Sequence, residues 1–354
     1  ERLGFEIKAE GRDSLTVVAP SWRPDILRED DLIEEIGRVH GYEKIPDKLP
    51  EGVTTQGGTH GFDAVVEKVE EAALRAGLNQ IVSHTLREQH PLDRPGERVT
   101  VRNPSSPEAR YLRNSLLPSL ADAALRNHEA DALHLFEIGH VFSPDEKIDL
   151  GILLSGKLAP PHWSAGDQDT SDFFALKGVI QYVLETSSLR LKLEPPAEAD
   201  KRFHPTRHAV LKHGEETVGV FGQVHPSLAK QLGLATESLF GELCLTAAAS
   251  KDLHDSPHRE ISRFPAVRRD IAVVIEKSVP YAKIESAVEE AAGEVLEKQW
   301  LFDVYEGKGI AESQHSLAIA LQLRKPHETF TDEEANRVRD AVVQALEALG
   351  GQLR

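Results

Sequence analysis

The chain contains no methionine, a single cysteine, and no apolar run near the roughly 20 residues needed to cross a bilayer. The lone Cys244 excludes an internal disulfide and fits a reducing, cytoplasmic setting. The missing apolar run excludes a membrane helix, and the polar opening Glu1-Arg2-Leu3-Gly4 does not read as a signal peptide. That opening, without Met, already looks like the inside of a folded unit, so a fragment of a longer protein is expected. Positive charge is also scarce: 41 Lys and Arg stand against 58 Asp and Glu, a net −17. A general nucleic-acid binder needs a basic surface to neutralise phosphates, so any RNA contact must come from local patches or be shared with a partner. The Gly-Lys-Ser/Thr phosphate loop is missing, and Gly307-Lys308-Gly309 reads as a hairpin turn.

What is present supports sizeable cores. The 354 residues, 40% hydrophobic and 28% charged, predict two or three domains. A first block, 1–50, has a strand-like run Leu15 to Ala19, a proline-bounded turn and a helix from about Asp31 to Gly41. The stretch Pro46 to Gly52, followed by Gly57-Gly58, reads as a linker. In the second block, 61–250, apolar spacing predicts a helix from Phe62 that stops at Gly77, and further helices over Tyr111 to His128 and Asp172 to Glu185. Strands are predicted at Ile81 to Leu86, Val99 to Arg102, Leu133 to Phe142, Leu150 to Ser155 and Leu239 to Leu245, with a hairpin over His208 to Val224 turning at Gly214. A loop holds Pro160, Pro161, His162 and Trp163. Strands bracketed by helices indicate an α+β domain on an antiparallel sheet.

The polar stretch Ser250 to Arg259 is a second linker. The third block, 262–354, reads strand, helix, strand, strand, helix and a short final segment, with Thr331 and Glu334 as a capping box. That βαββαβ order is the ferredoxin-like split fold. Along its second strand, Trp300, Phe302 and Val304 alternate with Leu301, Asp303 and Tyr305, placing the two sets on opposite faces.

Chemistry concentrates in 20–42. On a helix starting near Asp31, the side chains of Asp31, Glu34 and Glu35 fall at i, i+3 and i+4 on one face, and Asp25 on the preceding turn can fold back toward them. Four converging carboxylates suit a hard dication such as Mg²⁺. Equally, acidic residues favour the first turn of any helix, where the macrodipole is positive. Elsewhere, His204 and His208 lack zinc-like spacing, Cys244 sits in an apolar run as core, and Arg113 and Glu137 read either as remnants of a nucleotide site or as an interior ion pair.

The strings Ser21-Trp22-Arg23-Pro24-Asp25, Asp31-Leu32-Ile33-Glu34-Glu35-Ile36 and Gly41-Tyr42 with Ile45-Pro46 closely resemble the β-subunit family of bacterial phenylalanyl-tRNA synthetases. Asn103-Pro104, Leu112-Arg113-Asn114-Ser115, Leu135-Phe136-Glu137-Ile138-Gly139, His204-Pro205-Thr206-Arg207 and Gly222-Gln223-Val224-His225 resemble its middle domain; Phe264-Pro265, Arg268-Arg269-Asp270, Leu301-Phe302-Asp303-Val304-Tyr305 and Leu353-Arg354 resemble its anticodon-binding domain. The resemblance covers essentially the whole chain. It implies Asp25, Asp31, Glu34 and Glu35 as Mg²⁺ ligands near a contact with an α subunit. It also implies a class II synthetase-like middle domain without a working site, and a C-terminal domain that binds tRNA.

Arg268, Arg269, Tyr305, Lys308 and Arg324 are the RNA-contact candidates; the aromatics of this strand read as core by default, with Tyr305 the one set against that default because a ferredoxin-like sheet can stack bases on its flat face. The third block holds 12 Lys and Arg against 16 Asp and Glu, a net −4, so it would hold RNA only through such local cations. The family usually carries a basic Gly-Lys-Lys-Ser-like stretch where this chain reads Ser313-Gln314-His315-Ser316. The implied activity is that of the whole ligase: ATP-dependent attachment of phenylalanine to its tRNA by two α and two β subunits, with the chemistry on α. The other readings are a stand-alone RNA-binding or assembly module and, from the acidic cluster alone, an independent metal-dependent enzyme, disfavoured because His40 is the one nearby histidine or nucleophile.

Overall fold

A computed structural model of the chain describes residues 1–49, 51–52, 57–96, 98–159, 163, 170–249 and 262–354. It divides into two units: Glu1–Ser187 with Leu191–Ser250, and Lys251–Arg354 with Ser188–Arg190. Among the described residues no helix is long and apolar enough to cross a membrane.

The first unit opens with a hairpin, β1 (Glu6–Glu10) and β2 (Leu15–Val18), followed by α1 (Glu29–His40) and then α2 (Gly61–Arg75). Short strands β3 (Asn79–Gln80), β4 (Leu86–Arg87) and β5 (Tyr111–Leu112) lead to α3 (Leu117–Arg126), β6 (Ala132–Phe142) and β7 (Glu146–Gly156). Next come α4 (Phe173–Thr186), β8 (Lys192–Glu194), β9 (Phe203–His213), β10 (Glu216–Val224), α5 (Pro226–Leu232), β11 (Leu239–Cys244) and α6 (Leu245–Ala248). Seven strands form one sheet in the order β3-β6-β7-β11-β10-β9-β8, antiparallel except where β3 joins β6.

Helix α3 packs tightly on this sheet because Gly151 leaves room: a Cβ there would come 2.8 Å from Leu116 and 2.9 Å from Leu120. Leu117, Leu120, Leu153, Phe203 and Phe240 meet in the resulting core, each buried side chain contributing about 1.5–3 kcal/mol.

Three expectations for this unit are corrected. Residues 81–85 and most of 99–102 are irregular, with Thr100 contributing only a bridge to Tyr111. The helix predicted from Tyr111 begins at Leu117, where Pro118 occupies its first turn. The physical reason is long-range: Arg113 N–H donates to the Thr85 carbonyl (2.9 Å) and Leu116 N–H to the Glu242 carboxylate (2.7 Å). Those bonds tie 113–116 to distant partners as an irregular segment, whatever their helical propensity. The predicted linkers lie partly outside the described residues, Ser250 to Arg259 wholly so, as do Pro160 to His162.

The second unit has the expected βαββαβ order: β12 (Val267–Glu276), α7 (Tyr281–Ala292), β13 (Leu296–Tyr305), β14 (Gln314–Leu323), α8 (Asp332–Ala348) and β15 (Gln352–Leu353). Its sheet runs β13-β14-β12-β15, all neighbours antiparallel. Ile271, Val273, Ile275, Leu317, Ile319, Leu321 and Leu323 point to one face and pack on Ile284 and Val288 of α7 and Val342 and Leu346 of α8. Thr331 caps α8: its hydroxyl accepts from Glu334 N–H (3.3 Å), and the Glu334 carboxylate accepts from Thr331 N–H (2.9 Å).

Candidate functional site

Both helices of the second unit cover the same face of its sheet, leaving the other open. Register decides what stands there. Trp300 is opposite Ala320, Asp303 opposite Ala318 and Tyr305 opposite Ser316; across β12, Ala318 faces Ala272 and Ala320 faces Asp270. Strict alternation would send Tyr305 to the helix side, away from Trp300. A register shift between Leu301 and Asp303 adds one residue to β13 and returns Tyr305 to the face that carries Trp300. The alternating placement read from the sequence is therefore wrong beyond Phe302.

Cations lie over these rings. The Arg268 guanidinium is 5.1 Å from the Trp300 ring centre and 5.5 Å from that of Phe302, Lys298 is 5.8 Å from Trp300, and Arg354 is 5.0 Å from Tyr305. Phe302 and Tyr305 remain 48% and 37% exposed, so they offer π surface to a ligand. An aromatic row on a floor of Ala272, Ala318, Ala320 and Ser316, edged by Arg and Lys, has the parts of a single-strand stacking surface.

Of the RNA candidates, Arg268 and Tyr305 stand on this face. Lys308 is in the following loop, its carbonyl accepting the Tyr305 hydroxyl at 3.4 Å. Arg269 points to α8, bonding Asn336 (3.0 Å) and Asp332 (2.7 Å), and Arg324 bonds Glu297 (2.8 Å) and the Phe264 carbonyl. Those two are committed to the unit's own structure. Trp300, Phe302, Lys298 and Arg354 are not among the RNA-contact candidates of the sequence: aromatics on a strand are core by default, and the bulge and strand order that bring the two cations over the rings leave no sequence mark.

The carboxylates of the first unit are brought together only in part. Arg23 binds Asp25 through two nitrogens (2.7–3.1 Å) and reaches Glu35 at 2.9 Å, while Arg38 takes the other Glu35 oxygen at 2.6 Å. Hydrogen bonds from Arg23 and Arg38 lower the Glu35 pKa to about 2, and Arg23 lowers that of Asp25. Asp31 instead accepts the N–H groups of Leu27 and Arg28, both at 2.7 Å, which holds the start of α1 and lowers its pKa. Glu34 is exposed. Among the described residues no three Asp, Glu, His or Cys side chains gather as a metal would require. In this arrangement guanidinium and backbone N–H groups hold the oxygens, and the set does not fit Mg²⁺.

The family model for the phenylalanyl tRNA synthetase beta chain CLM domain matches residues 45–245, more than half of the chain. The chain belongs to the phenylalanyl-tRNA synthetase β-chain family. Two further models flank that match, the tRNA synthetase B5 domain over 1–42 and the ferredoxin-fold anticodon binding domain over 262–354. The phenylalanine–tRNA ligase beta subunit of Symbiobacterium thermophilum is 36% identical over 96% of this chain and 40% of its own length; that of Bacillus licheniformis is 35% identical over 98% and 44%. The chain thus spans less than half the length of these curated relatives. Among solved structures, pyrrolysyl-tRNA synthetase from Desulfitobacterium hafniense aligns at 15% identity and a TM-score of 0.41 over 53% of this chain and 67% of its own, too remote to carry weight.

Within the segment that matches the β-chain CLM domain, polar groups lie beneath the surface. Glu137, Gly151 and Glu242 are in register across β6, β7 and β11, with Gly139, Asp149 and Cys244 in the next row on the same face. Glu137, Asp149 and Glu242 are almost wholly buried, and arginines answer them. Arg113 bonds Glu137 at 2.6 Å, and Arg94 bridges Asp149 and Glu242, the latter at 3.0 Å. Of the two sequence readings of Arg113 and Glu137, the structure supports the interior pair.

Burial raises the Asp149 pKa to about 6, against the pull of Arg94, and also raises that of Cys244, a core thiol. A cleft of about 630 Å³ lies over the outer strands, lined by Arg94, Arg202, Lys212, His208 and Glu242. Arg202 is already bonded to Asp200 (2.7 Å) and Lys212 to Glu194 (2.9 Å). These charges are spent on one another.

Proposed function

We propose that the chain is the tRNA-holding and scaffolding part of a phenylalanine–tRNA ligase β subunit. In this reading the open face of the ferredoxin-fold unit receives single-stranded nucleotides of phenylalanine tRNA. The synthetase-like unit, of class II descent, packs against an α subunit that carries out the ATP-dependent chemistry, in an assembly of two α and two β chains in the cytoplasm. Blocks 1–50, 61–250 and 262–354 are its three domains.

The observation that carries the reading is the row of half-buried Trp300 and exposed Phe302 and Tyr305 under Arg268, Lys298 and Arg354, in a unit whose net charge is otherwise unfavourable for RNA. Stacking tolerates that charge because its strength resides in π surface rather than in phosphate neutralisation. Docking of α is supported by the sheet edge at β3, beyond which Val82 is 91% exposed and Leu86 also lies open. RNA contact is assigned to Arg268, Tyr305, Lys308, Trp300 and Phe302, with Arg269 and Arg324 set aside. For Mg²⁺ to be held by Asp25, Asp31, Glu34 and Glu35 together, Arg23 would have to leave Asp25 and Glu35, Arg38 would have to leave Glu35, and Asp31 would have to give up its backbone donors.

Binding of an unmodified phenylalanine tRNA transcript tests the reading. Phe302→Ala and Tyr305→Ala should each weaken it on the order of tenfold, since one base stacked on an aromatic ring is worth about 1–3 kcal/mol. Co-expression with the candidate α subunit, then size analysis and a charging assay, tests assembly. Full-strength RNA binding by both variants, or a longer β chain that neither assembles nor supports charging, would defeat the proposal.

A further inference from the structure

Arg354 follows β15, at one edge of the four-stranded sheet, whereas Tyr305 is on β13 at the opposite edge. Neighbouring strands are about 4.8 Å apart, so three intervals separate the two backbones by roughly 14 Å. Yet the guanidinium sits 5.0 Å from the ring centre. The two side chains therefore reach toward each other across β12 and β14. The lane they share is floored by Ala272, Val274, Ala318 and Ser316, residues too short to stand between them. Backbone pairing fixes the start of the reach, because Arg354 N–H donates to the Ala272 carbonyl at 2.9 Å. The ring is held by its far end: its hydroxyl donates to the Lys308 carbonyl, and a Cβ on Gly307 would lie only 2.8 Å from that hydroxyl.

The cations on this face differ in how their charge is answered. Arg268 is ion-paired to Asp270 at 2.8 Å. Among the described residues Arg354 has no carboxylate partner, and it is exposed. A guanidinium with only a ring beneath it occupies the place a stacked base would take, with its charge unspent. An exposed cation–π contact is worth about 0.5–1 kcal/mol, less than the roughly 1–3 kcal/mol of a stacked base, so exchange favours the base.

We propose that Arg354 is an RNA-contacting residue that covers the Tyr305 ring in the free chain and passes to a phosphate when a base takes its place. This rests on the reading that the open face holds tRNA. The measurement is the Kd of the full 354-residue chain for an unmodified phenylalanine tRNA transcript over a series of salt concentrations, with thermal melts as a check on folding. Arg354→Ala and Arg354→Gln should raise Kd about 3–10-fold at low salt and make the plot of log K against log salt shallower by about 0.7–0.9, the loss of one phosphate contact. Arg354→Lys should restore the slope.

If Arg354→Ala and Arg354→Gln bind as tightly as the parent, or tighter, with the slope unchanged, Arg354 is a cover only and the proposal falls. Tyr305→Ala and Phe302→Ala separate the two layers. If they weaken binding while the Arg354 variants do not, only the role of Arg354 is lost; if they too bind normally, the stacking surface itself is refuted.

Discussion

The two sheets of this chain treat their polar faces in opposite ways. In the seven-stranded sheet, Glu137, Asp149 and Glu242 are buried under the 83–116 segment and closed by Arg94 and Arg113. In the four-stranded sheet, the face away from the helices keeps its aromatics half exposed and its arginines on top of them. The difference teaches where electrostatic energy is committed. Buried pairs fix one geometry, and removing a partner leaves an uncompensated charge. Exposed arginines over rings hold little energy, and a ligand can rearrange them.

The largest effect should come from the closed sheet. Arg113→Ala strands the Glu137 carboxylate, which is 1% exposed and also bonded by Ser83. A loss of about 3–5 kcal/mol in the first unit is expected in urea melts. Arg268→Ala on the open sheet should cost the second unit under about 1 kcal/mol. Similar losses for the two would erase the contrast.

Acid titration sharpens the comparison, because one buried carboxylate of the closed sheet, Asp149, and one capping carboxylate of the second unit, Glu334, are shifted in opposite directions. Burial raises Asp149 to about 6 from an ordinary 3.8, so the folded state binds its proton more tightly than the unfolded chain does. Its cost to stability grows as pH rises from about 4 to 6 and is full above that; each tenfold in proton affinity is worth about 1.4 kcal/mol. Glu334 is lowered to about 2 from 4.5 by Lys325 and the Thr331 cap. Its contribution is present above about pH 4.5 and is lost as pH falls toward 2. Subtracting the melts of Asp149→Asn and Glu334→Gln from those of the parent should therefore give difference curves of opposite slope, in windows of about 4–6 and 2–4.5. Parallel curves would contradict the assignment.

Legibility followed the range of the determining contacts. The second unit could be read because its strands alternate, its helices carry local caps such as Thr331 with Glu334, and its core comes from periodic apolar positions. The segment 81–116 could not, because partners far along the chain (Glu137, Glu242 and the Phe136 carbonyl) override its local propensity. The open face was half legible: Arg268 and Tyr305 were named, but the bulge after Leu301 that gathers Trp300, Phe302 and Tyr305 depends on pairing with β14. At 20–42, spacing sets Asp31, Glu34 and Glu35 along α1 but does not bring their carboxylates together, and it says nothing of Arg23, two residues before Asp25, which holds Asp25 and Glu35.

That last point yields the smallest expected effect and bears on whether the first block follows the closed sheet or the open one. Arg23 stands between Asp25 and Glu35, with Arg38 behind, so the oxygens a dication needs are already engaged. With the native arginine in place, adding millimolar Mg²⁺ or EDTA should leave the thermal midpoint within about 1 °C, as for any weakly held surface ion. Arg23→Ala removes the internal cation and leaves Asp25 and Glu35 facing each other across the space it vacates. Its midpoint should fall, and Mg²⁺ should then raise it in a concentration-dependent way, because hard dications take carboxylate oxygen readily. A parent chain that already responds to Mg²⁺, with the response abolished by Asp25→Asn, would mean that Arg23 yields to the metal. The cluster would then belong with the rearrangeable surface of the second unit rather than with the locked interior of the first.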